Sequence, residues 1–265
     1  MIESLNSPHV ARVKALIGSR GVKERKIIGK FVAEGMQCVR EALTTKTGPH
    51  IETLYVTSEG RIKIDEFSDL IQFDVVEVSN EVMGSMSETI TPQGVLAICG
   101  IPQTDLKSLP LNGARKFIYL SEVQDPGNAG TVLRSADAFA MDAVITSPGS
   151  VDMYSPKVVR STAGSLWHIP VFESIAISEL LDLGFKAFSL GASGTKNLFD
   201  YEISGDTVAI FGNEARGLST AQNLDSIEVI SIPMPGNAES LNLSAAASIV
   251  MYHLSNMPRL QSSSR

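Results

Sequence analysis

Only two cysteines occur in the 265 residues, Cys38 and Cys99. They stand far apart and outside any metal-ligand spacing. That excludes a disulfide framework and a thiolate metal site, and predicts two reduced, buried thiols in a cytoplasmic chain. Nowhere do eighteen apolar residues follow one another, so no transmembrane helix is expected. The start, Met-Ile-Glu-Ser-Leu-Asn-Ser-Pro, lacks the basic-then-apolar order of a secretory signal. No Gly-x-Gly-x-x-Gly follows a strand, and there is no Walker-type phosphate loop, His-Glu-x-x-His or Gly-x-Ser-x-Gly. Ordinary dinucleotide sites, zinc proteases and serine hydrolases of the α/β type thereby lose their markers. The four histidines, His9, His50, His168 and His253, are not clustered and read as structural or surface residues.

The composition, 43% apolar and 19% charged, is that of a folded chain, so disorder is not the starting assumption. Its length suits two modest domains or one large one. A net charge of −7 argues against nucleic acid until its distribution is read. Residues 1–30 carry Arg12, Lys14, Arg20, Lys23, Arg25, Lys26 and Lys30 against Glu3 and Glu24, a segment of +5 that leaves −12 on the other 235 residues. A basic end on an acidic body is either a localised phosphate contact or a solvated helix face.

Ser7-Pro8 predicts a helix with Ser7 as N-cap and Pro8 at the first position, running to about Ile17 and stopping at Gly18. Residues 30–43 begin extended and continue helical, and strand-like runs follow at 51–56, 73–78 and 94–99. This half reads as a small α/β domain, residues 1–102. Residues 103–114 are rich in turn formers and read as a linker. From 115 onward strands are expected at 116–121, 143–146, 168–172, 185–190, 207–211 and 228–232. Helices are expected at 128–140, 155–164, 176–183 and 241–255. This alternation predicts an α/β fold with a mostly parallel sheet covered by helices on both faces, and ligands beyond the carboxyl ends of its strands.

Three polar motifs fall at those ends. In Asn128-Ala-Gly-Thr-Val-Leu-Arg134-Ser-Ala136, Asn128 reads as a helix N-cap after the Pro126-Gly127 turn. Arg134 interrupts an apolar helix, either as an exposed residue or as a planar fork for a phosphate. In Gly212-Asn213-Glu214-Ala-Arg-Gly217-Leu218, a glycine permits close backbone approach. Its acid is either a first-turn partner of the helix dipole or a counter-charge for a cationic ligand. In Ile232-Pro233-Met234-Pro235-Gly236, proline has no donor for a strand ladder, so the chain must turn away and free backbone groups for a ligand. Ser240 and Asn242 then open the last helix, at least one of them as its cap.

These three segments, in this order and spacing over about residues 115–255, resemble the SpoU–TrmH family of RNA ribose 2′-O-methyltransferases. Leu190-Gly191-Ala192-Ser193-Gly194 looks like that family's additional cofactor loop. Phe31-Val-Ala-Glu34-Gly35 and Pro92-Gln93-Gly94 are similar, more weakly, to the small ribosomal-protein-like RNA-binding domain often fused in front. Ser121 to Gly130 does not match the glycine-rich loop of the common open-sheet methyltransferases. The resemblance implies S-adenosylmethionine as methyl donor, a ribose 2′-hydroxyl as acceptor, a deep trefoil knot in a domain spanning 115–265, and a homodimer. No metal and no membrane are implied. It gives Arg134 the central catalytic role, with Asn128, Glu214, Ser240 and Asn242 around it. It places the cofactor against Leu190, Gly191, Ala192, Gly212, Asn213, Gly217, Ile232, Pro233, Met234 and Leu241. The seven N-terminal cations are then candidates for RNA contact. Ribosomal RNA is the first choice of substrate and transfer RNA the second. A catalytically silent RNA-binding protein of the same fold is the alternative.

Overall fold

The computed structural model describes residues 1–103, 105–106, 114–191, 194, 196–201, 205–212 and 227–258. The chain divides into two compact units, one of Met1–Gln103 with Asp152–His168 and one of Thr104–Val151 with Ile169–Arg265.

In the first unit, α1 (Pro8–Ile17) starts where Ser7 accepts the His9 N–H and Pro8 occupies the first helical position, and ends at Gly18, whose N–H reaches the Lys14 carbonyl. A second helix, α2 (Gly21–Ile28), was not expected from the sequence; it ends at Gly29 in the left-handed conformation, with φ 65°. The remaining elements are β1 (Lys30–Glu34), α3 (Met36–Thr44), β2 (Ile51–Val56), α4 (Ser58–Ile64), β3 (Asp74–Glu77), α5 (Asn80–Met86) and β4 (Val95–Gly100). The sheet order is β1-β4-β2-β3, antiparallel except for the parallel β2–β3 pair. Val10, Val13 and Leu16 of α1 pack with Val32, Tyr55, Leu96 and Ile98 into a buried cluster. Removing such a side chain from water is worth about 1.5–3 kcal/mol. Gly94 and Gly60 are both required: Gly94 has φ +81°, and its carbonyl, which accepts the Thr57 N–H, would lie 1.9 Å from a Cβ on Gly60 of α4.

Asp152–His168 packs in this unit although its sequence follows the first strands of the other. It contains α7 (Pro156–Ser161). Asp152 receives Arg25 through Nε at 2.8 Å and Nη2 at 2.6 Å. Tyr154 and Trp167 pack on Phe31 with their rings tilted by 51° and 45°, and the Trp167 indole N–H donates to the Pro49 carbonyl at 2.8 Å. Arg160 lies 3.3 Å from Glu34, which also accepts from the Glu88 N–H and the Thr89 hydroxyl.

The second unit holds β5 (Lys116–Leu120), α6 (Pro126–Ala138), β6 (Ala143–Thr146), β7 (Val171–Phe172), α8 (Ile177–Asp182), β8 (Lys186–Leu190), β9 (Lys196–Asn197), β10 (Thr207–Phe211), β11 (Glu228–Ser231) and α9 (Leu243–Ser255). Its seven-stranded sheet has the order β7-β6-β5-β10-β8-β11-β9, and every pair is parallel. The fold class read from the alternation is therefore present, and the two-residue β9 is its one unexpected strand. β5 and β10 are buried along their whole length, as central parallel strands must be. Phe117, Tyr119, Ile145, Phe172, Leu180, Phe185, Val208 and Ile210 form one core layer. Helices α6 and α9 pack on each other, α6 also on β6 and α9 also on β10. Both cysteines are free and buried. Among the described residues no helix is long and apolar enough to cross a membrane, and no three potential metal ligands cluster.

Candidate active site at the carboxyl ends of the parallel strands

Where β5 ends, Ser121 to Asp125 lead into α6. Its N-cap is Asp125, whose carboxylate accepts the Asn128 N–H at 2.7 Å, and Pro126 is the first helical residue. This corrects the expectation that Asn128 caps the helix. Pro126 loses nothing at a position whose N–H would be orphaned, so the helix starts two residues earlier. Asn128 then sits in the first turn, and its side-chain oxygen accepts from Asn242 Nδ2 at 3.1 Å. Arg134 follows on the exposed side of α6, with no hydrogen bond or ion pair to any described residue.

Asn242 caps α9. Its Oδ1 accepts from the Ser244 N–H at 2.9 Å, the Ala245 N–H at 3.4 Å and the Ser244 hydroxyl at 2.6 Å. A good N-cap of this kind stabilises a helix by about 1 kcal/mol. Ser240 lies outside the cap and is exposed. The Asn128–Asn242 bond brings the first turns of two thirteen-residue helices together. The aligned dipoles of the two helices make that end favourable to negative charge.

Beside it lies a cleft of about 220 Å³, lined by Leu190, Gly191, Ile232, Met234, Glu239, Ser240, Leu241 and Ala246. β8 ends at Leu190, and the Gly191 N–H donates to the Ile230 carbonyl at 3.0 Å, tying this loop to β11. Gly194 lies against the same strand end, where a Cβ would fall 2.5 Å from the Ile230 carbonyl carbon. β11 stops at Ser231, and Pro233 and Pro235 bring no N–H with which to continue the ladder. The chain therefore turns outward and becomes the cleft wall.

The structure thus gathers Leu190, Gly191, Ile232, Met234, Ser240 and Leu241 in one cleft, with Asn128 and Asn242 at the neighbouring helix ends. Gly212 and Pro233 are not among the lining residues. Ala192, Asn213, Glu214 and Gly217 lie outside the described residues. Sequence reasoning missed Glu239 and Ala246. Ala246 follows the helical spacing from Asn242, and Glu239 is the one formal charge among the described lining residues. A second cavity, about 460 Å³, is lined by Asp105, Leu106, Phe172, Ile175, Glu179, Asp182 and Leu183 and contains none of the motif residues.

Burial pushes the Cys38 thiol up to about 11 and the Tyr119 and Tyr201 hydroxyls up to about 12. Burial likewise raises Cys99 and Tyr55. None of these groups lines the cleft. Three of the histidines also have structural partners: His9 meets the Tyr55 hydroxyl, His168 meets Glu41, and His253 meets the Tyr201 carbonyl.

Of the seven N-terminal cations, Lys14, Arg20, Lys23 and Lys26 are exposed and make no ion pair among the described residues. Arg12 and Lys30 both reach Glu52, at 3.2 and 2.6 Å. Arg25 is withdrawn from the RNA set. It is 3% exposed, and its guanidinium is taken up by Asp152 and the Leu16 carbonyl.

Comparison with known proteins shows the family. The family model described as the SpoU rRNA Methylase family matches residues 115–252, and that of the MRM3-like substrate binding domain matches residues 8–97. The chain belongs to the SpoU rRNA methylase family. It is 34% identical to the 23S rRNA (guanosine(2553)-2′-O)-methyltransferase RlmP of Bacillus subtilis, over 88% of this chain and 91% of that one. It is 28% identical to the 23S rRNA (uridine(2479)-2′-O)-methyltransferase of Streptomyces viridochromogenes, over 90% and 86%. Among solved structures, the SpoU methyltransferase AviRb of Streptomyces viridochromogenes in complex with AdoMet superposes with a TM-score of 0.84, at 26% identity over 94% of this chain and 97% of that one. An AdoMet-bound rRNA methyltransferase of Sinorhizobium meliloti gives 0.81, at 26% identity over 95% of each.

Proposed function

We propose that this SpoU-family chain is an S-adenosylmethionine-dependent RNA methyltransferase that methylates a ribose 2′-hydroxyl of ribosomal RNA. The observation that carries the reading is the cleft at the ends of β8 and β11, whose wall includes Leu241 and Ala246 on either side of the Asn242 cap that bonds Asn128 on the helix carrying Arg134. The cleft suits the cofactor chemically. Leu190, Ile232, Met234, Leu241 and Ala246 offer apolar contact for a purine and a thioether, and Glu239 offers a counter-charge for a cationic sulfur.

When bound, S-adenosylmethionine supplies a methyl group on a positively charged sulfur. The chain's own task is to hold the accepting oxygen in line and to shield the charge that grows on it. Arg134 fits that task. A guanidinium with a pKa above about 12 is a poor base at neutral pH but a good fork for phosphate or alkoxide oxygen. It would hold the neighbouring phosphate and stabilise the developing oxyanion, while the hydroxyl proton passes to solvent and the neutral thioether leaves. Asn128, held by Asn242, positions the start of α6, and Ser240 borders the substrate side of the cleft. The role of Glu214 in orienting Arg134 or the substrate is carried over from the family pattern alone.

The finer parts of the reading rest on the family match. They are residues 1–102 as substrate-binding domain, 103–114 as linker, 115–265 as a knotted catalytic domain, a homodimer and a cytoplasmic setting. Lys14, Arg20, Lys23 and Lys26 are the RNA-facing cations because they are exposed and unpaired among the described residues. The test is transfer of a labelled methyl group from S-adenosylmethionine to ribosomal RNA, followed by digestion to nucleosides. The reading expects label in a 2′-O-methylnucleoside. Label on a base, or on transfer RNA alone, would overturn it.

A further inference from the structure

The hydrogen bonds between α6 and α9 extend beyond the two asparagines. Asn128 and Ser135 stand seven residues apart on one side of α6, and Ser244 and Ser248 stand one turn apart on α9. Ser135 Oγ lies 2.9 Å from Ser248 Oγ, and Asn242 Nδ2 lies 3.1 Å from Asn128 Oδ1. Both contacts occur in the same order along the two helices, so α6 and α9 run side by side in the same direction.

The protons in this chain have a fixed sense. Ser248 Oγ donates to the Ser244 carbonyl at 2.8 Å. A serine hydroxyl has one hydrogen, so Ser248 accepts from Ser135, and Ser135 is the donor. Ser244 Oγ donates to Asn242 Oδ1, and Asn242 donates onward to Asn128. Two separate links thus join the helices, one at Ser135, the residue after Arg134, and one at Asn128. The buried sides of the two helices carry the small residues Ala129, Gly130, Ala136 and Ala247 beside the larger Val132, Leu133, Val250 and Met251. The directional Ser135–Ser248 bond adds a fixed point to that packing.

We propose that Ser135 and Ser248 are positioning residues. Their bond fixes the axial register of α6 against α9 and so sets where Arg134 stands relative to the cofactor cleft, one wall of which is Ala246 of α9. The inference rests on the methyltransferase reading for its consequence and on the geometry for its cause. A slip of one residue along a helix is about 1.5 Å. Misplacement of about 1 Å at a reacting centre can cost on the order of a hundred-fold in rate.

The test uses the full chain with Ser135→Ala, Ser248→Ala, the double variant and Ser135→Thr. Each alanine variant should lower kcat about ten-fold, with cofactor affinity within about two-fold of wild type. The double variant should be no slower than Ser248→Ala, because the Ser135–Ser248 bond is already lost there. Ser135→Thr keeps the hydroxyl and should recover most of kcat. Unchanged kcat in the single variants, losses that multiply in the double, or losses that follow cofactor affinity would overturn the proposal. Denaturant unfolding of wild type, the two singles and the double needs no turnover. A double-variant shift smaller than the sum of the two single shifts supports a paired bond, and additive shifts refute it. A wild-type chain that methylates no RNA would remove the functional reading, while the unfolding cycle would still decide whether the pair is coupled.

Discussion

Arg25 and Arg134 both stand on helices, one in each unit, and their surroundings are opposite. Arg25 is buried, with Asp152 at 2.6 Å and the Leu16 carbonyl on its other nitrogen. Arg134 is exposed, has no partner among the described residues, and stands one residue before the bond that ties α6 to α9. A buried cation with its carboxylate in place is committed to the fold, because removing either partner strands a charge. A cation kept in solvent, on the helix whose first turn is tied to the Asn242 cap, is free to meet a ligand. The same contrast divides the N-terminal segment, where Lys14, Arg20, Lys23 and Lys26 are open while Arg25 is engaged.

The sharpest way to break this comparison is to exchange the outcomes. Arg134→Ala should lower turnover on the order of a hundred- to a thousand-fold, the scale of losing one oxyanion-stabilising group. Its unfolding midpoint should not move and cofactor affinity should stay within a few-fold, as steady-state kinetics and calorimetry on one preparation would show. Arg25→Ala should do the reverse. It should cost about 3–5 kcal/mol in denaturant unfolding, and any folded fraction should bind S-adenosylmethionine normally. If Arg25→Ala folds as well as wild type while Arg134→Ala does not, the roles have been assigned the wrong way round.

A smaller effect is expected from Lys23→Gln with Lys26→Gln. RNA affinity should fall. The slope of log affinity against log salt should flatten by about 0.7 for each single-strand phosphate that the protein no longer neutralises. An unchanged slope in a filter-binding titration would take α2 off the RNA surface. The smallest effect concerns Cys38. Its thiol is raised by burial from 9.0 to about 11 in the folded chain. The unfolded state therefore ionises first, and this contribution is complete below pH 9 and is lost as the pH rises through about 11. Cys38→Ala should flatten the fall in stability across that window, and a curve of unchanged steepness would show that other groups govern it.

Much of the fold was legible in local sequence. Ser7, Pro8 and Gly18 framed α1 to the residue, and the β-branched runs marked the long parallel strands. The cleft was legible too, because Pro233 and Pro235 after an apolar strand leave the chain no choice but to turn out. What escaped were matters of distance and partner. Asp125-Pro126 carried a helix start as clearly as Asn128 did, and only the carboxylate's reach to the Asn128 N–H decides between them. Nothing near Arg25 in sequence announces Asp152, which lies 127 residues away. The same holds for Trp167 and Phe31, whose packing places Asp152–His168 in the first unit. Serines on a helix are ordinary surface residues until a second helix brings Ser248 to Ser135.

The central claim is that the cofactor occupies the cleft at the ends of β8 and β11. Amide hydrogen exchange with and without S-adenosylmethionine tests it most directly. Slowed exchange at Leu190–Gly191 and across Ile232–Asn242, with the first unit unchanged, is the predicted result. Protection that spares these residues and falls instead on the cavity of Asp105, Phe172 and Glu179 would contradict it.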